Sequence, residues 1–312
     1  MAYKVFIDGQ AGTTGLRLAQ RLAERPDIEL LTIDERLRKD AEARAGFIAG
    51  ADVSFLCLPD ESAFEIASAV EDKACRIIDC STAFRTAEGW SYGMPELTEG
   101  LSAAKRVSNP GCHATGFVMA VRPLVAAGVL DSGAGLCFHS LTGYSGGGKA
   151  MIAEYEEYWE NHGDSARAPM QYAPGQEHKH LPEMLKYSGL RTAPVFSPIV
   201  CDFYSGMLVA VPLRGVSKEA AHEALAERYE SCPLVKVREI GYEFTGAAGE
   251  GYLSADAMAG RDDIEIFVTG KDDRIEIVSR YDNLGKGASG AAIQNMNILL
   301  GLPEETGLVL GA

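Results

Sequence analysis

The segment Ser108-Asn109-Pro110-Gly111-Cys112-His113-Ala114-Thr115 places a cysteine directly after a Pro-Gly turn. The apolar pattern from Ala114 to Ala127 predicts a helix, so Cys112 falls at a helix N-terminus. There the unbonded N–H groups and the positive end of the helix dipole favour thiolate over thiol. A thiolate is the form that attacks an electrophilic carbonyl carbon. The chain has seven cysteines, and of the others Cys57 and Cys80 lie in apolar runs that predict packed strands. An odd number with no C-x-x-C pair argues against a disulfide framework or a zinc ribbon.

A nucleophilic cysteine needs an acid/base partner. His178 and His180 stand two apart in the segment EHKHLPEM. Pro182 predicts the first position of a short helix that ends before Gly189. Glu183 then sits in its first turn, within reach of a neighbouring imidazole. Either His178 or His180 suits the acid/base role. A zinc site made of Cys112, His113, His178 and His180 is disfavoured, because the spacing fits no common closed motif.

A second constellation opens the chain. Gly9, Gly12 and Gly15 are spaced G-x-x-G-x-x-G between a β-branched run (residues 3–8) and a helical pattern from Leu16 to Arg25. Another strand-like run, residues 28–34, follows. Strand, glycine turn, helix and strand make a βαβ unit whose turn can cradle a pyrophosphate, with Thr13 and Thr14 at the helix start. Asp34, at the end of the second run, stands where a carboxylate bonds the ribose hydroxyls of NAD. Arg36, Arg38 and Lys39 follow at once and could hold a 2′-phosphate, so the residues leave NAD and NADP both open.

The elements around these residues fit a globular chain. Its 312 residues are 46% hydrophobic and 23% charged, ample for a core and more than one domain. The net charge of −15 sets a low prior for binding nucleic acid or an anionic membrane. No apolar stretch reaches membrane-spanning length, and no signal peptide or other targeting segment is read, which points to a reducing cytoplasm. Apolar runs at 51–59 and 75–81 with a helical pattern at 62–70 continue the strand–helix alternation. The expected fold is therefore α/β: an N-terminal doubly wound, Rossmann-like parallel sheet. Beyond about residue 133 the pattern predicts a second, α+β domain with a mostly antiparallel sheet. Its features are a helix at 218–231 and a hairpin turning at Lys271-Asp272-Asp273-Arg274. A last helix, 287–302, is placed to return to the first domain.

Taken together, SNPGCHAT, GQAGTTG, DCSTAFR (79–85), LTGYSGGGK (141–149), EHKHLPEM and DNLGKGASGAAIQNMN (282–297) resemble the shorter branch of the N-acetyl-γ-glutamyl-phosphate reductases of arginine biosynthesis, within the aspartate-semialdehyde dehydrogenase superfamily. The resemblance covers nearly the whole chain. It implies NADPH-dependent reduction of an acyl phosphate to a semialdehyde through a thioester on Cys112, with His178 favoured over His180 as acid/base and Glu183 supporting. It implies substrate contacts from Arg85, Asn109 and Lys149. It implies cofactor contacts from Gly9, Gly12, Thr13, Thr14, Gly15, Asp34, Arg36, Arg38, Pro59, Ser81, Gly146 and Asn283, and no metal. It further implies a dinucleotide-binding domain of residues 1–112 completed by 287–312, a catalytic and oligomerisation domain of residues 113–286, and a homodimer or homotetramer. The competing enzyme is an aspartate-semialdehyde dehydrogenase or another acyl-phosphate reductase. A non-catalytic NADP-binding protein would need neither Cys112 nor the histidine pair.

Overall fold

The computed structural model describes residues 2–71, 73–163, 165–243, 245–246, 249–271 and 273–311. Asp272 of the expected hairpin turn and Ala312 of the expected C-terminal segment lie outside them. The chain divides into two compact units: Met1–Pro110 with Ala288–Leu308, and Gly111–Gly287 with the residues from Val309 on. The break between Pro110 and Gly111 puts Cys112 in the second unit, whereas the sequence expectation ended the first domain on it.

The first unit is a six-stranded parallel sheet. Its strands are β1 (Tyr3–Asp8), β2 (Ile28–Leu31), β3 (Val53–Leu56), β4 (Ile77–Asp79), β5 (Ser91–Tyr92) and β6 (Arg106–Ser108), in the order β2-β1-β3-β4-β6-β5. The order reverses at β1, and in such sheets ligands bind beyond the strand ends at that switch point. Alternation along β1 shows why the sheet is covered on both faces. Val5 and Ile7 pack with Leu18 and Leu22 of α1 (Thr13–Ala23), while Phe6 packs with Ile48 of α2 (Ala41–Gly50) and Ile66 of α3 (Asp60–Ala69).

Two local readings are corrected here. The second strand stops at Leu31, where its pairing with β1 ends, so Asp34 lies beyond it in a turn closed by the Leu37 N–H on the Asp34 carbonyl (2.8 Å). The charged stretch after Asp34 runs into a helix, α2, that the residue pattern did not reveal. Asp40 caps it by accepting the Ala43 N–H at 2.7 Å, and its buried side is only Arg44, Ala45 and Ile48.

The last helix, Gly290–Leu300, is preceded by a π turn at Gly285–Ser289 and belongs to the first unit. Its Ala292, Ile293 and Met296 join the same core as Val5 and Ile7. Buried amides fix its rotation. Arg25 donates to Asn297 (2.7 Å), Gln294 donates to Glu96 (2.9 Å), and Asn295 donates to the Gly93 carbonyl (2.8 Å).

The second unit carries α4 (Cys112–Ala126), β7 (Cys137–Gly143), α5 (Gly148–His162), β8 (Met170–Gln171), α6 (Leu181–Ser188), β9 (Val195–Cys201), β10 (Met207–Arg214), α7 (Lys218–Tyr229), β11 (Val235–Val237), a small pair β12 (Thr245–Gly246) and β13 (Gly249–Glu250), β14 (Ile264–Lys271) and β15 (Arg274–Tyr281). Its seven-stranded sheet runs β11-β14-β15-β10-β7-β9-β8 and is mixed, mostly antiparallel. Helix α4 packs on β10 and β15 through Gly116, where a Cβ would lie 2.7 Å from the Tyr281 ring and 2.8 Å from Val209.

In the glycine turn, Gly9 has φ +85° and a Cβ there would stand 2.2 Å from the Cys57 carbonyl oxygen. One on Gly15 would stand 2.4 Å from the Gly9 oxygen, but one on Gly12 keeps 3.4 Å. The expected outcome is that Gly15→Ala destabilises the fold by about 2 kcal/mol or more, while Gly12→Ala stays within about 1 kcal/mol. Urea denaturation of both variants checks it.

Candidate active site

Gly111 is the N-cap of α4, and no side chain of its own helix caps it. Cys112 is the first helical residue and is half-buried. The peptide around it is gripped from other elements. Glu183, in the first turn of α6, accepts the Gly111 N–H at 3.1 Å. The Tyr281 hydroxyl donates to the Cys112 carbonyl (2.5 Å) and accepts the Gly116 N–H (3.1 Å). Burial and the neighbouring Cys112 charge push the Tyr281 phenol well above its ordinary range, so it stays protonated. Gly287 lies against Cys112, since a Cβ on Gly287 would sit 3.0 Å from the Cys112 Cβ.

Helix α6 begins at Leu181, one residue before the expected Pro182, and ends at Gly189 in the left-handed conformation. His178 and His180 come together with His113: ring centroids are 4.7 Å apart for His178–His180, 5.4 Å for His113–His178 and 5.6 Å for His113–His180. The His180 N–H donates to His178 Nδ1 at 3.2 Å, so the neutral His178 ring carries its proton on Nε2. His178 is partly exposed and His180 is buried. Glu183, expected to orient an imidazole, also fixes the peptide before Cys112.

His113 is the buried member of the cluster. Its Nδ1 lies 2.8 Å from Ser140 Oγ and its Nε2 2.7 Å from the Tyr172 hydroxyl. Burial, reinforced by the charges of His178 and Lys179, pushes it down to about 3. The ring is therefore neutral at any working pH. Ser140, Tyr172 and Tyr281 were not singled out from the sequence, because only folding brings them beside residues 112 and 113. The one available signal was a histidine next to the candidate nucleophile on an otherwise apolar helix.

The turn Tyr144–Gly147 precedes α5. Asn283 holds it: its amide donates to Ser145 Oγ (3.1 Å) and accepts the Gly206 N–H (2.9 Å). Asn283 thus positions this turn. Gly146 and Lys149 are exposed.

The remaining candidates lie in the first unit. Gly12 caps α1, leaving the N–H groups of Thr13, Thr14 and Gly15 in its first turn. Asp8, just before the turn, is ion-paired with Arg44 of α2 at 2.8 Å, a buried partnership absent from the sequence reading. Desolvation raises the Asp8 carboxyl against the lowering effect of Arg44. Asp34 is exposed and ion-paired with Arg36 (2.8 Å), and Arg38 pairs with Glu35 (3.4 Å). Pro59 caps α3. Ser81 donates to Asp79 (2.7 Å), whose burial raises that carboxyl to about 6. Arg85 is buried and donates to the Asn109 carbonyl at 3.1 Å. The Asn109 amide donates to the Ala288 carbonyl (3.0 Å) and accepts from Asn295 (3.3 Å), which ties it to the last helix. Among the described residues no cluster of three or more acidic, histidine or cysteine side chains could hold a metal ion.

Solved structures with this fold are aspartate semialdehyde dehydrogenase II of Vibrio cholerae complexed with ASA (TM-score 0.69, 16% identity, 96% of this chain and 98% of that one) and aspartate semialdehyde dehydrogenase with NADP of Candida albicans (0.65, 15%, 96% and 99%). The chain also matches the families described as semialdehyde dehydrogenase, NAD binding domain, over residues 4–104, and semialdehyde dehydrogenase, dimerisation domain, over residues 112–283. Fold and site thus define an oxidoreductase of the semialdehyde dehydrogenase class that uses a nicotinamide cofactor. Curated relatives are more specific. N-acetyl-gamma-glutamyl-phosphate reductase 2 of Nostoc sp. strain PCC 7120 is 46% identical, covering 98% of this chain and 99% of its own length. The reductase of the same name from Sinorhizobium fredii is 42% identical over 96% and 99%. The chain belongs to the N-acetyl-gamma-glutamyl-phosphate reductase family.

The His113 environment has a consequence for stability. In the unfolded chain its imidazole titrates near 6.5, in the fold near 3. Between these values the unfolded state binds the extra proton, so stability is lost as pH falls from about 6.5. His113→Gln is expected to lose about 1–2 kcal/mol less than the unaltered protein between pH 7 and pH 5. Urea denaturation at the two pH values measures the difference.

Proposed function

We propose that this protein catalyses the NADPH-dependent reduction of N-acetyl-L-glutamyl 5-phosphate to N-acetyl-L-glutamate 5-semialdehyde, with release of phosphate, in arginine biosynthesis. The observation that carries this reading is the half-buried Cys112 at the start of α4, in the unit that also gathers His178 and His180. The Cys112 thiolate adds to the acyl carbon. The carbon–oxygen bond to phosphate breaks, phosphate leaves and a thioester remains. The bound nicotinamide supplies the hydride that the reduction requires. A histidine gives a proton to the thiohemiacetal alkoxide and takes it back as the carbon–sulfur bond breaks, releasing the aldehyde and restoring the thiolate. The partial exposure of His178 and its proton-bearing Nε2 support it in this role, with buried His180 holding its Nδ1 through the main chain.

The first unit suits a dinucleotide. Gly9 and Gly15 let the turn pack closely against the Cys57 carbonyl and on itself, and the first N–H groups of α1 suit a pyrophosphate. Main chain at Pro59 and Ser81, beyond β3 and β4, is assigned to the same cofactor, and Gly146 to its nicotinamide end. Arg36 and Arg38 are the residues for a 2′-phosphate, which would replace Asp34 as the partner of Arg36. Arg85 and Lys149 are assigned to the anionic ends of the substrate, with Asn109 and Asn283 as supports. The match to a dimerisation domain supports self-association, as a homodimer or homotetramer. No helix among the described residues is long and apolar enough to cross a membrane, and a biosynthetic role of this kind fits the cytoplasm.

The test runs the reaction in reverse, with N-acetylglutamate semialdehyde, phosphate and NADP. Turnover is expected with this aldehyde and not with aspartate semialdehyde. The opposite preference would assign the chain to the aspartate-semialdehyde reaction. Cys112→Ser is expected to lower kcat by more than about 1,000-fold while NADPH titration still shows binding. Loss of both would make Cys112 structural. Arg36→Ala combined with Arg38→Ala is expected to raise the KM for NADPH about tenfold and leave that for NADH unchanged.

A further inference from the structure

The reaction above uses Cys112 and leaves the other cysteines without a task. Two of these, Cys57 and Cys80, stand side by side at the carboxyl edge of the first unit's sheet. Leu56 of β3 and Asp79 of β4 are register partners, and each cysteine is the residue that follows. The main-chain ladder runs on through both. The Cys80 N–H donates to the Leu56 carbonyl (2.9 Å), and the Cys57 N–H donates to the Asp8 carbonyl of β1 (2.8 Å). Side chains alternate between the two faces of a sheet. Val53, Phe55 and Cys57 pack on the same core as Ile78 and Cys80, so both sulfurs lie on one face. Neighbouring strands are about 4.8 Å apart. A disulfide spans Cα atoms roughly 4.4–6.8 Å apart, so a pair in register on one face meets the separation that a bridge needs.

Both cysteines are free and partly exposed, as attack by a small reagent requires. The Cys80 thiol is pushed well above its ordinary range. A hydrogen bond with the Cys57 side chain is the first cause, followed by burial and the charges of Cys57 and Asp79, with Arg85 opposing. Cys80 is thus held protonated by its neighbour, and bonding the Cys57 sulfur to another group removes the first of these causes.

Cys57 is also the wall on which the glycine turn rests. A Cβ on Gly9 (φ +85°) would stand 2.2 Å from the Cys57 carbonyl oxygen, so the two main chains are in contact there. An S–S bond is about 2.0 Å long, far shorter than a contact between unbonded sulfurs. Closing one draws the ends of β3 and β4 together and shifts the peptide behind Gly9. Pro59 and Ser81, assigned above to the cofactor, follow the two cysteines closely in the chain.

We propose that Cys57 and Cys80 are a reversible dithiol–disulfide pair, oxidised by a low-molecular-weight disulfide, and that closing the bridge weakens dinucleotide binding at the adjoining glycine turn. The effect on binding rests on reading that turn as the cofactor cradle. With glutathione disulfide as oxidant, the Cys57 thiolate attacks one of its sulfurs and expels a glutathione thiolate, leaving a mixed disulfide on Cys57. Cys80 then gives its proton to solvent and attacks the Cys57 sulfur, expelling the second glutathione thiolate. The two cysteines lose two electrons and two protons, and one glutathione disulfide becomes two glutathione molecules.

The test uses the full-length Cys112→Ser protein, so that the nucleophile takes no part. The protein is equilibrated in graded mixtures of glutathione and glutathione disulfide, quenched with iodoacetamide and digested with trypsin without reduction. The expected product joins the peptide of residues 45–73 to that of residues 77–85 and is lighter by two hydrogens than the separate peptides. Oxidised protein is expected to bind NADPH about tenfold more weakly than reduced protein, and dithiothreitol to restore binding. Linkage requires the converse: saturating NADPH should raise, by the same factor of about ten, the ratio of glutathione disulfide to the square of glutathione at half-oxidation. Replacing both residues, Cys57→Ala with Cys80→Ala in the same background, should leave NADPH binding equal before and after oxidation. Absence of the joined peptide at the highest disulfide ratio overturns the proposal, as does a bridge that leaves NADPH binding unchanged. Should the double replacement fail to fold, the linkage measurement, made without it, decides. Reduced protein that binds no NADPH overturns the coupling together with the cofactor reading, while the joined peptide, mapped without cofactor, still judges the bridge.

Discussion

A single peptide segment, Gly111–Cys112, bears the constraint on which the second unit depends. On the proposed role of Cys112, a helix that presents a reactive side chain from its first residue must hold its start still without covering its free N–H groups. Here the holding comes from elsewhere in the chain. Glu183 of α6 takes the Gly111 N–H, and Tyr281 of β15 bridges the Cys112 carbonyl and the Gly116 N–H. The bridge explains the glycine at position 116, because any side chain would collide with the Tyr281 ring that makes it. Gly287 completes the enclosure by lying against the Cys112 Cβ. Removing a buried hydroxyl of this kind strands two main-chain groups, so the cost falls on the geometry of the sulfur as well as on stability.

The first unit solves a different problem, that of adding a helix from the far end of the chain to a sheet built from its beginning. Apolar burial alone would let an all-round buried helix rotate. The last helix is indexed by amides. Asn297 meets Arg25, Gln294 meets Glu96, and Asn295 meets both Gly93 and Asn109. Asn109 also offers its carbonyl to Arg85 and its own N–H to the Asp79 carbonyl (2.7 Å). The residues that lead the chain out of this unit toward Pro110 are thus fixed by the same network that seats the last helix.

Much of this was legible in the residues, and the parts that were not share a cause. The glycine turn, the strand before it and the start of α4 are local: spacing, a Pro-Gly pair and an apolar run define them without help from afar. The end of β2 was misjudged because Thr32 and Ile33 are β-branched and continue the strand pattern, whereas pairing with β1 ends at Leu31. Helix α2 was hidden because its buried side is small and includes a charge, Arg44, whose partner Asp8 is 36 positions away. Ser140, Tyr172 and Tyr281 are 27, 59 and 169 positions from the residues they bond. No periodicity within one element encodes such pairings.

The three imidazoles show why one of them has to be neutral. Rings with centroids 4.7–5.6 Å apart would repel if two were charged. Repulsion of that kind would make proton transfer at the exposed ring depend on the state of the hidden one. Full burial removes the ambiguity for His113, and its two nitrogens are occupied by hydroxyls rather than by groups that would stabilise a second proton. His178 is left as the member with access to solvent, and the His180 main chain assigns its tautomer. His113 is therefore the fixed neutral member of the cluster. A buried carboxylate in the place of Ser140 would undo this, because it would favour the charged form of His113 and return the repulsion.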